Sequence, residues 1–252
     1  DMRLATENYL CLLDSNLNII KYTKVEMLNK HEPIWEFHGL EDARVVEWPD
    51  WEDDTKKNLY LCGVRRDTKS NGEGRMEYSQ IKLDKENWTA KEIHRLRIPA
   101  PAPNDSYCEK NWVPVLDKPY HFVKWSMPTE IVKARPDIAS CNKVSLVETP
   151  TPPKDQRGGS QVVRWGDYYI SFTHEVILWK NYLSQKDAIY RHRMLVWDTD
   201  FNFVGYSNEF SFLEFRIEFC VGAAVVDGDL LLSFAVADNA AFILRLKEDT
   251  IN

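Results

Sequence analysis

The sequence predicts an all-β chain: a five-bladed β-propeller whose first blade is partial or closed by the chain ends. Three observations carry this. The composition is rich in aromatics and poor in glycine, with 11 Phe, 9 Trp and 11 Tyr but only 10 Gly in 252 residues. Aromatic and β-branched side chains suit a pleated, half-buried surface and so favour sheet. Short apolar runs also alternate with turn signals from end to end, whereas a 3.6-residue periodicity is scarce. Finally, a unit of strand, turn, strand and a strand closing on Leu-Asp or Trp-Asp returns at roughly 45–55 residues, the length of one four-stranded blade. It is visible at residues 12–14, 83–84 and 196–198.

Taken in order, strand-like runs fall at residues 8–13, 44–48, 58–64, 78–83, 112–116, 120–125 and 144–148. The second half adds 161–165, 168–173, 193–198, 220–226, 230–236 and 241–246. Four connections have hairpin chemistry: Leu116-Asp-Lys-Pro119, Trp165-Gly-Asp167, Trp197-Asp-Thr-Asp-Phe-Asn202 and Asp227-Gly-Asp229. The Pro-rich pieces Ile98-Pro-Ala-Pro-Ala-Pro103 and Thr149-Pro-Thr-Pro-Pro153 lie between strand clusters and read as crossings between blades. The best helical candidate, residues 175–189, lacks a clear cap and reads equally as a long loop. No interdomain linker is evident, so residues 1–252 are expected to form a single propeller domain. The chain opens on Asp1 without an initiator Met or a signal peptide, which points to a piece cut from a longer polypeptide that carries further domains.

Charge and cysteine usage exclude several classes. With 32 Lys+Arg against 39 Asp+Glu the net charge is −7, and no basic block exists to hold a nucleic-acid backbone. No apolar stretch reaches the ~18 residues that a membrane span needs. The five cysteines are odd in number, scattered and never in C-x-x-C spacing, which fits neither a disulfide framework nor zinc. They point to a reducing, cytoplasmic compartment, against which two glycosylation triplets, at Asn87 and Asn104, are weak signals. Six histidines without H-x-x-x-H spacing give no metal site.

Six segments carry more polar and glycine residues at strand ends than packing demands. They are Gly39-Leu-Glu-Asp-Ala-Arg44, Cys108-Glu-Lys-Asn-Trp112, Arg157-Gly-Gly-Ser160, Thr173-His-Glu175, Arg216-Ile-Glu-Phe219 and Ala237-Asp-Asn239. A propeller would deliver such strand ends to one shared cavity. Singly, each also has a structural reading: Glu41 with Arg44 as a pair, Arg157-Gly-Gly as a surface turn, Asp238 in an Asx turn. Arg65-Arg66, flanked by Asp67 and Lys69, reads as a solvated face.

Gly39-Leu-Glu-Asp-Ala-Arg-Val45 resembles the G-x-E-D-P-R-[VI] signature of the inverting β-mannoside phosphorylases and β-1,2-mannosidases, which are five-bladed propellers. Glu109-Lys-Asn-Trp112, Arg157-Gly-Gly-Ser160 with His174-Glu-Val176, and Glu218-Phe-Cys-Val-Gly222 with Ala237-Asp238 are similar to later motifs of that family, in the same order. Ala43 stands in place of the signature proline, the first-blade motifs are absent, and the chain resembles an outlying branch. The resemblance implies a carbohydrate-active enzyme on β-mannosides or similar glycosides, with an oligosaccharide or glycan as its partner.

Inversion at a glycosidic carbon needs a proton for the leaving oxygen and a nucleophile on the opposite face. A phosphorylase needs only the acid, because phosphate is itself an anionic nucleophile. Asp42 is the candidate acid. Arg44, Lys110, Arg157 and His174 are the candidate anion ligands, with glycines beside Arg157 that would let backbone N–H groups approach an oxyanion. Glu41, Asn111, Glu218 and Asp238 suit sugar hydroxyls, and Trp112, Trp125 and Tyr190 suit sugar rings. A hydrolase would require a second carboxylate, Glu175 or Glu218, about 6.5–9.5 Å from Asp42. No cofactor is expected beyond inorganic phosphate or a sugar phosphate as co-substrate. A β-mannosyltransferase-like glycosyltransferase of the same fold and a non-catalytic glycan-binding propeller are the alternatives.

Overall fold

Three hairpins of this chain are closed in the same way by an aspartate. Asp14 accepts the Asn16 and Asn18 backbone N–H groups at 2.8 Å each and the Asn18 amide at 3.0 Å. Asp198 repeats this with Asp200, Asn202 and the Asn202 amide at 2.8–2.9 Å. Asp84 does so with Glu86, Asn87 and the Asn87 amide at 2.8–3.0 Å. The Leu-Asp or Trp-Asp repeat in the sequence is therefore an Asx-type turn in which a short carboxylate satisfies the backbone donors of a tight reversal.

A computed structural model describes residues 4–29, 32–101, 106–152, 154–184 and 186–248. Pro103, Asn104 and Pro153, named above, lie outside the described residues. Strands β1 (Leu4–Ala5), β2 (Tyr9–Leu13), β3 (Ile19–Glu26) and β4 (Phe37–His38) lead into β5 (Leu40–Pro49), β6 (Lys57–Arg65), β7 (Arg75–Asp84) and β8 (Thr89–Arg97). These make a sheet of order β2-β3-β8-β7-β6-β5, with β1 paired to β4 separately. The meander β5–β8 is antiparallel, and the β2–β3 hairpin joins its outer strand in parallel through Val25↔Ala90 and Glu26↔Lys91 only. The next sheet comprises β9 (Val113–Pro114), β10 (His121–Trp125), β11 (Thr129–Arg135) and β12 (Ser140–Val147), in sequential order.

A third sheet holds β13 (Arg157–Gly158), β14 (Val163–Trp165), β15 (Tyr168–Lys180), β16 (Lys186–Trp197) and β17 (Phe203–Tyr206), and the last is β18 (Glu218–Val226), β19 (Asp229–Val236) and β20 (Ala240–Leu246). Each is a run of sequential strands, the plan of a propeller blade. All four predicted hairpin turns are present, and the described parts of both Pro-rich pieces lie between sheets. Residues 175–180 and 186–189 are not helical: they are the outer parts of β15 and β16, which pair without a break from Tyr169↔Trp197 to Lys180↔Lys186, with a turn following at residues 181–184. Strands β3, β8, β11 and β17, and the two-residue strands β1, β4 and β13, were not anticipated.

The chain divides into two compact units, Asp1–Trp112 with Lys133–Asn142, and Val113–Val132 with Lys143–Asn252. In the first, Val25, Leu40, Leu61, Ile81 and Ala90 form an apolar cluster. The second has two clusters, one around Val115, Leu195 and Trp197 and one around Phe172, Leu232 and Phe234.

A β-bulge interrupts the start of β5. Glu41 pairs with Val64 and Arg44 with Cys62, so Asp42 and Ala43 together face the single residue Gly63. Asp42 adopts φ +52°, a left-handed conformation that accommodates the extra residue. Gly63 is required opposite it, since a Cβ there would lie 2.5 Å from the Glu41 carbonyl oxygen and 3.3 Å from the Ala43 Cα. Gly63→Ala is therefore expected to destabilise the fold by about 1–3 kcal/mol, as overpacking against backbone does. Urea denaturation at neutral pH measures this. A wild-type midpoint would mean that the bulge relaxes freely.

Candidate functional site

In the first unit the bulge sets two consecutive carboxylates, Glu41 and Asp42, at the mouth of β5, both half-buried. Two contacts hold them there. The buried Arg44 (1% exposed) donates from Nη1 to the Asp42 carbonyl at 2.8 Å. Just upstream, Asp67 Oδ2 accepts the Gly39 N–H at 2.8 Å. Arg44 thus fixes the bulge backbone. This corrects its assignment as an anion ligand: a guanidinium sealed in the sheet and aimed at a main-chain carbonyl presents nothing to solvent.

Burial, and next the adjacent charge of Asp42, hold the Glu41 carboxyl above the ordinary carboxylate range, while Arg66 and Lys110 pull it down. Glu41 Oε1 is buried without a hydrogen bond among the described residues. Lys110 is exposed on a loop tied to β7 by the Gly74↔Cys108 bridge and by the Glu109 N–H to Gly74 O bond of 3.0 Å. Asn111, beside it, takes φ +61°. Trp112 closes the loop from inside: it is 1% exposed and its indole N–H donates to Glu109 at 2.9 Å. Trp112 is therefore a core residue, and its ring is covered where sugar stacking needs an open face.

Arg65 and Arg66 are not a solvated face. Arg65 (5% exposed) is part of a buried ion network, 2.7 Å from Glu77 and 3.4 Å from Asp67. Arg95 joins it through Glu92 at 2.5 Å and Glu77 at 3.8 Å. Arg66 instead lies over the rings of Trp35, Phe37 and Tyr107, at 6.0, 5.7 and 5.9 Å.

In the second unit Arg157 on β13 and His174 on β15 are direct cross-strand neighbours. His174 is 4% exposed, stacked on Tyr190 (5.6 Å, 15°) and edge-on to Phe219 (4.9 Å, 81°). The sequence-predicted Arg157, His174 and Tyr190 thus stand together, with Arg157 also paired to Asp155 at 3.2 Å. The glycine beside them has a different reason from the one expected. A Cβ at Gly159 would meet the Phe172 carbonyl oxygen at 2.3 Å and that of Cys220 at 2.8 Å, so Gly159 serves backbone packing.

Glu218 is also structural: its carboxylate is fully buried and accepts three backbone N–H groups, from Phe212 (2.5 Å), Leu213 (2.9 Å) and Phe215 (2.8 Å). It shapes the 212–215 turn and has little left for a sugar hydroxyl. Asp238 is an exposed residue at the β19–β20 hairpin tip, with φ +51° after Ala237 at +53°. The turn is closed by the backbone, with the Asn239 N–H donating to the Val236 carbonyl at 3.1 Å, and its two left-handed residues suit hairpin twist. Trp125 is half-exposed at the end of β10.

Sequence reasoning missed the polar network beneath His174. Buried Glu175 accepts from the Gln156 amide at 2.9 Å and lies 3.5 Å from both Lys154 and Arg193. Burial raises its proton affinity, but these hydrogen bonds and cations outweigh it and hold the carboxyl below its ordinary value. Among the described residues no group of three or more His, Cys, Asp or Glu is placed to hold a metal ion. No helix among the described residues is long and apolar enough to cross a membrane.

No protein-family model and no curated protein matches the sequence. The fold does match solved structures. A Bacteroides ovatus protein provisionally assigned as a glycoside hydrolase aligns over 84% of this chain and 69% of its own, with TM-score 0.52 and 14% identity. The β-1,2-mannobiose phosphorylase of Listeria innocua, solved with β-1,2-mannobiose, aligns over 84% of this chain and 59% of its own, with TM-score 0.51 and 14% identity. This chain spans less than two thirds of the phosphorylase. At such identity the likeness is one of fold.

The second unit also contains a buried titrating group. His192 is fully buried, and its Nε2 accepts the Cys220 N–H at 3.2 Å. Burial pushes its imidazole down to about 4, with Glu218 opposing and Arg191 assisting. The unfolded chain, with a histidine pKa near 6.5, therefore binds the proton first. The stability that His192 contributes is complete above about pH 6.5 and is lost as pH falls towards 4. Between pH 7 and 4 the wild type is expected to lose about 3 kcal/mol more than His192→Gln, whose amide oxygen can still accept the Cys220 N–H. Parallel stability–pH curves from urea denaturation would contradict this.

Proposed function

We propose that this chain is a carbohydrate-active enzyme that cleaves β-mannosides or similar glycosides by inverting phosphorolysis, or runs the reverse reaction from a sugar phosphate, with Asp42 as general acid. The observation that carries the reading is the bulge. It sets a Glu-Asp pair at the mouth of a strand, fixed through backbone contacts by Arg44 and Asp67, on a fold shared with a β-1,2-mannobiose phosphorylase. In this reading Asp42 protonates the leaving oxygen, and Glu41 and Asn111 meet sugar hydroxyls. Lys110 is a cationic ligand for inorganic phosphate or a sugar phosphate. In the second unit Arg157, His174 and Tyr190 are suited to anion and sugar contacts.

Phosphorolysis is favoured over hydrolysis for a physical reason. A hydrolase needs a second carboxylate free to activate water. Glu218 is occupied by three backbone donors, and Glu175 by Gln156, Lys154 and Arg193. The five-bladed plan belongs to the same proposal. The β2–β3 hairpin carries the same aspartate-closed turn that links β7 to β8, the last two strands of the β5–β8 meander, and β16 to β17, the last two strands of their sheet. It is thus the outer half of a partial first blade.

Asp42→Asn tests the assignment, because the amide keeps the shape of the side chain but delivers no proton. Turnover of a β-mannoside in the presence of phosphate is expected to fall by roughly 10²–10⁴-fold, the contribution of a general acid. Sugar affinity and melting temperature should stay near wild type. Wild-type turnover in Asp42→Asn would remove Asp42 from the mechanism.

A further inference from the structure

The described arginines of the first unit fall into three settings, of which the first is Arg44, sealed in the sheet against the Asp42 carbonyl. Arg65, Arg75, Arg95, Arg97 and Arg135 each have a carboxylate within 4 Å. Arg66 has none among the described residues. It is held by uncharged groups: the three rings of Trp35, Phe37 and Tyr107, the Gly72 carbonyl accepting from Nε at 3.0 Å, and the Tyr107 hydroxyl at 3.4 Å from Nη2. The packing is close, since a Cβ on Gly72 would fall 2.3 Å from the Trp35 ring. Aromatic faces attract a guanidinium without neutralising it. The planar fork is thereby oriented while its charge stays uncompensated by a neighbouring carboxylate.

The position of that charge is informative. Arg66 follows Arg65, which pairs with Leu40 next to Glu41, and a Cβ on Gly74 would lie 3.5 Å from the Arg66 Cγ and 2.5 Å from Cys108, on the loop that the Glu109 N–H ties to the Gly74 carbonyl at 3.0 Å beside Lys110. Both cations act on Glu41, yet neither forms an ion pair with it among the described residues. Two cations beside a half-buried carboxylate pair, with no contact between them, suit a third partner that carries negative charge of its own. Arg44, the arginine that sequence reasoning chose for this role, is sealed beneath the bulge.

We propose that Arg66 is the anion-binding guanidinium of the Glu41–Asp42 site, meeting a tetrahedral oxyanion together with Lys110. Two sources share this chemistry: inorganic phosphate and the phosphate group of a sugar phosphate. The assignment of the anion rests on the proposed function, whereas the binding role of Arg66 is read from its surroundings. Planar guanidinium forks match phosphate oxygens two at a time, which a lysine ammonium does not.

The test is a thermal-shift titration of the purified protein with inorganic phosphate, with mannose 1-phosphate and, as an uncharged control, with mannose. Wild type is expected to gain melting temperature with both phosphates, through preferential binding to the folded state. Arg66→Gln is expected to weaken the fitted Kd by tenfold or more, the size of a lost charge-assisted bond. Arg66→Lys should weaken it several-fold, and it carries the test if the glutamine variant does not fold. Lys69→Gln, an exposed neighbour, should bind as wild type does. A loss confined to one phosphate identifies the source and supports the assignment. Phosphate affinity within twofold of wild type in the Arg66 variants would overturn it, as would no phosphate response in the wild type. A normal phosphate site in a protein that turns over no glycoside would instead remove the proposed function and leave Arg66 in place.

Discussion

The tight opposition of Gly63 to the Glu41–Ala43 backbone is the constraint from which the candidate site follows. An ordinary antiparallel ladder would send successive side chains of β5 to opposite faces. The bulge breaks that alternation at Asp42, and only a residue without Cβ fits across from it. The cost of a left-handed aspartate is offset by Arg44, which bonds the Asp42 carbonyl, and by Asp67, which anchors the loop at Gly39. Strain of this kind is retained where it re-aims a functional side chain. The charge of Asp42 thereby stands beside Glu41 and helps to hold its carboxyl above the ordinary range.

Beneath this site lies a second constraint, electrostatic in origin. Asp67 is fixed by Arg65, which is fixed by Glu77, which also faces Arg95 and Arg97. Taking single charges out of water is expensive, so a buried network is stable only when its members are paired. The pairing ties the loop before β5 to strands β6, β7 and β8, and removing one member leaves the others uncompensated. Arg66, next in sequence to both Arg65 and Asp67, is placed by aromatic rings instead. The same short segment therefore supplies both the rigid support of the site and its uncompensated cation.

Much of the fold was legible because turns and aspartates are local chemistry. Asp14, Asp84 and Asp198 close their hairpins with groups at most four residues away, so sequence alone contains the signal. β8 was illegible for the converse reason. Its buried face includes Glu92 and Arg95, which bury only because they pair with each other, and a polar pattern of that kind reads as loop. Residues 175–189 misled because the far ends of β15 and β16 extend into solvent, with Ile177 and Leu178 exposed, so no one-sided apolar pattern remains. For the site, Glu41 and Asp42 share the bulge of β5, and Arg157, His174 and Tyr190 are neighbours on one sheet. Trp112, Glu218 and Arg44 were assigned by residue type and motif, and the structure shows them engaged with partners that neither reveals. A glycine inside a strand, Gly63, was the available sign of the bulge.

The central claim is that the bulge carboxylates serve an inverting phosphorolysis, and a direct measurement follows the phosphorus. Incubating the protein with β-1,2-mannobiose, with and without inorganic phosphate, while recording ³¹P spectra for the sugar phosphate and ¹H spectra for free mannose distinguishes the outcomes without any variant. Attack by phosphate on the face opposite the leaving group converts a β-mannoside into the α-anomer of mannose 1-phosphate. The account predicts that this resonance grows in and that no mannose is released when phosphate is omitted. Release of free mannose in the absence of phosphate, or no change in either spectrum across a panel of β-mannosides, would contradict it.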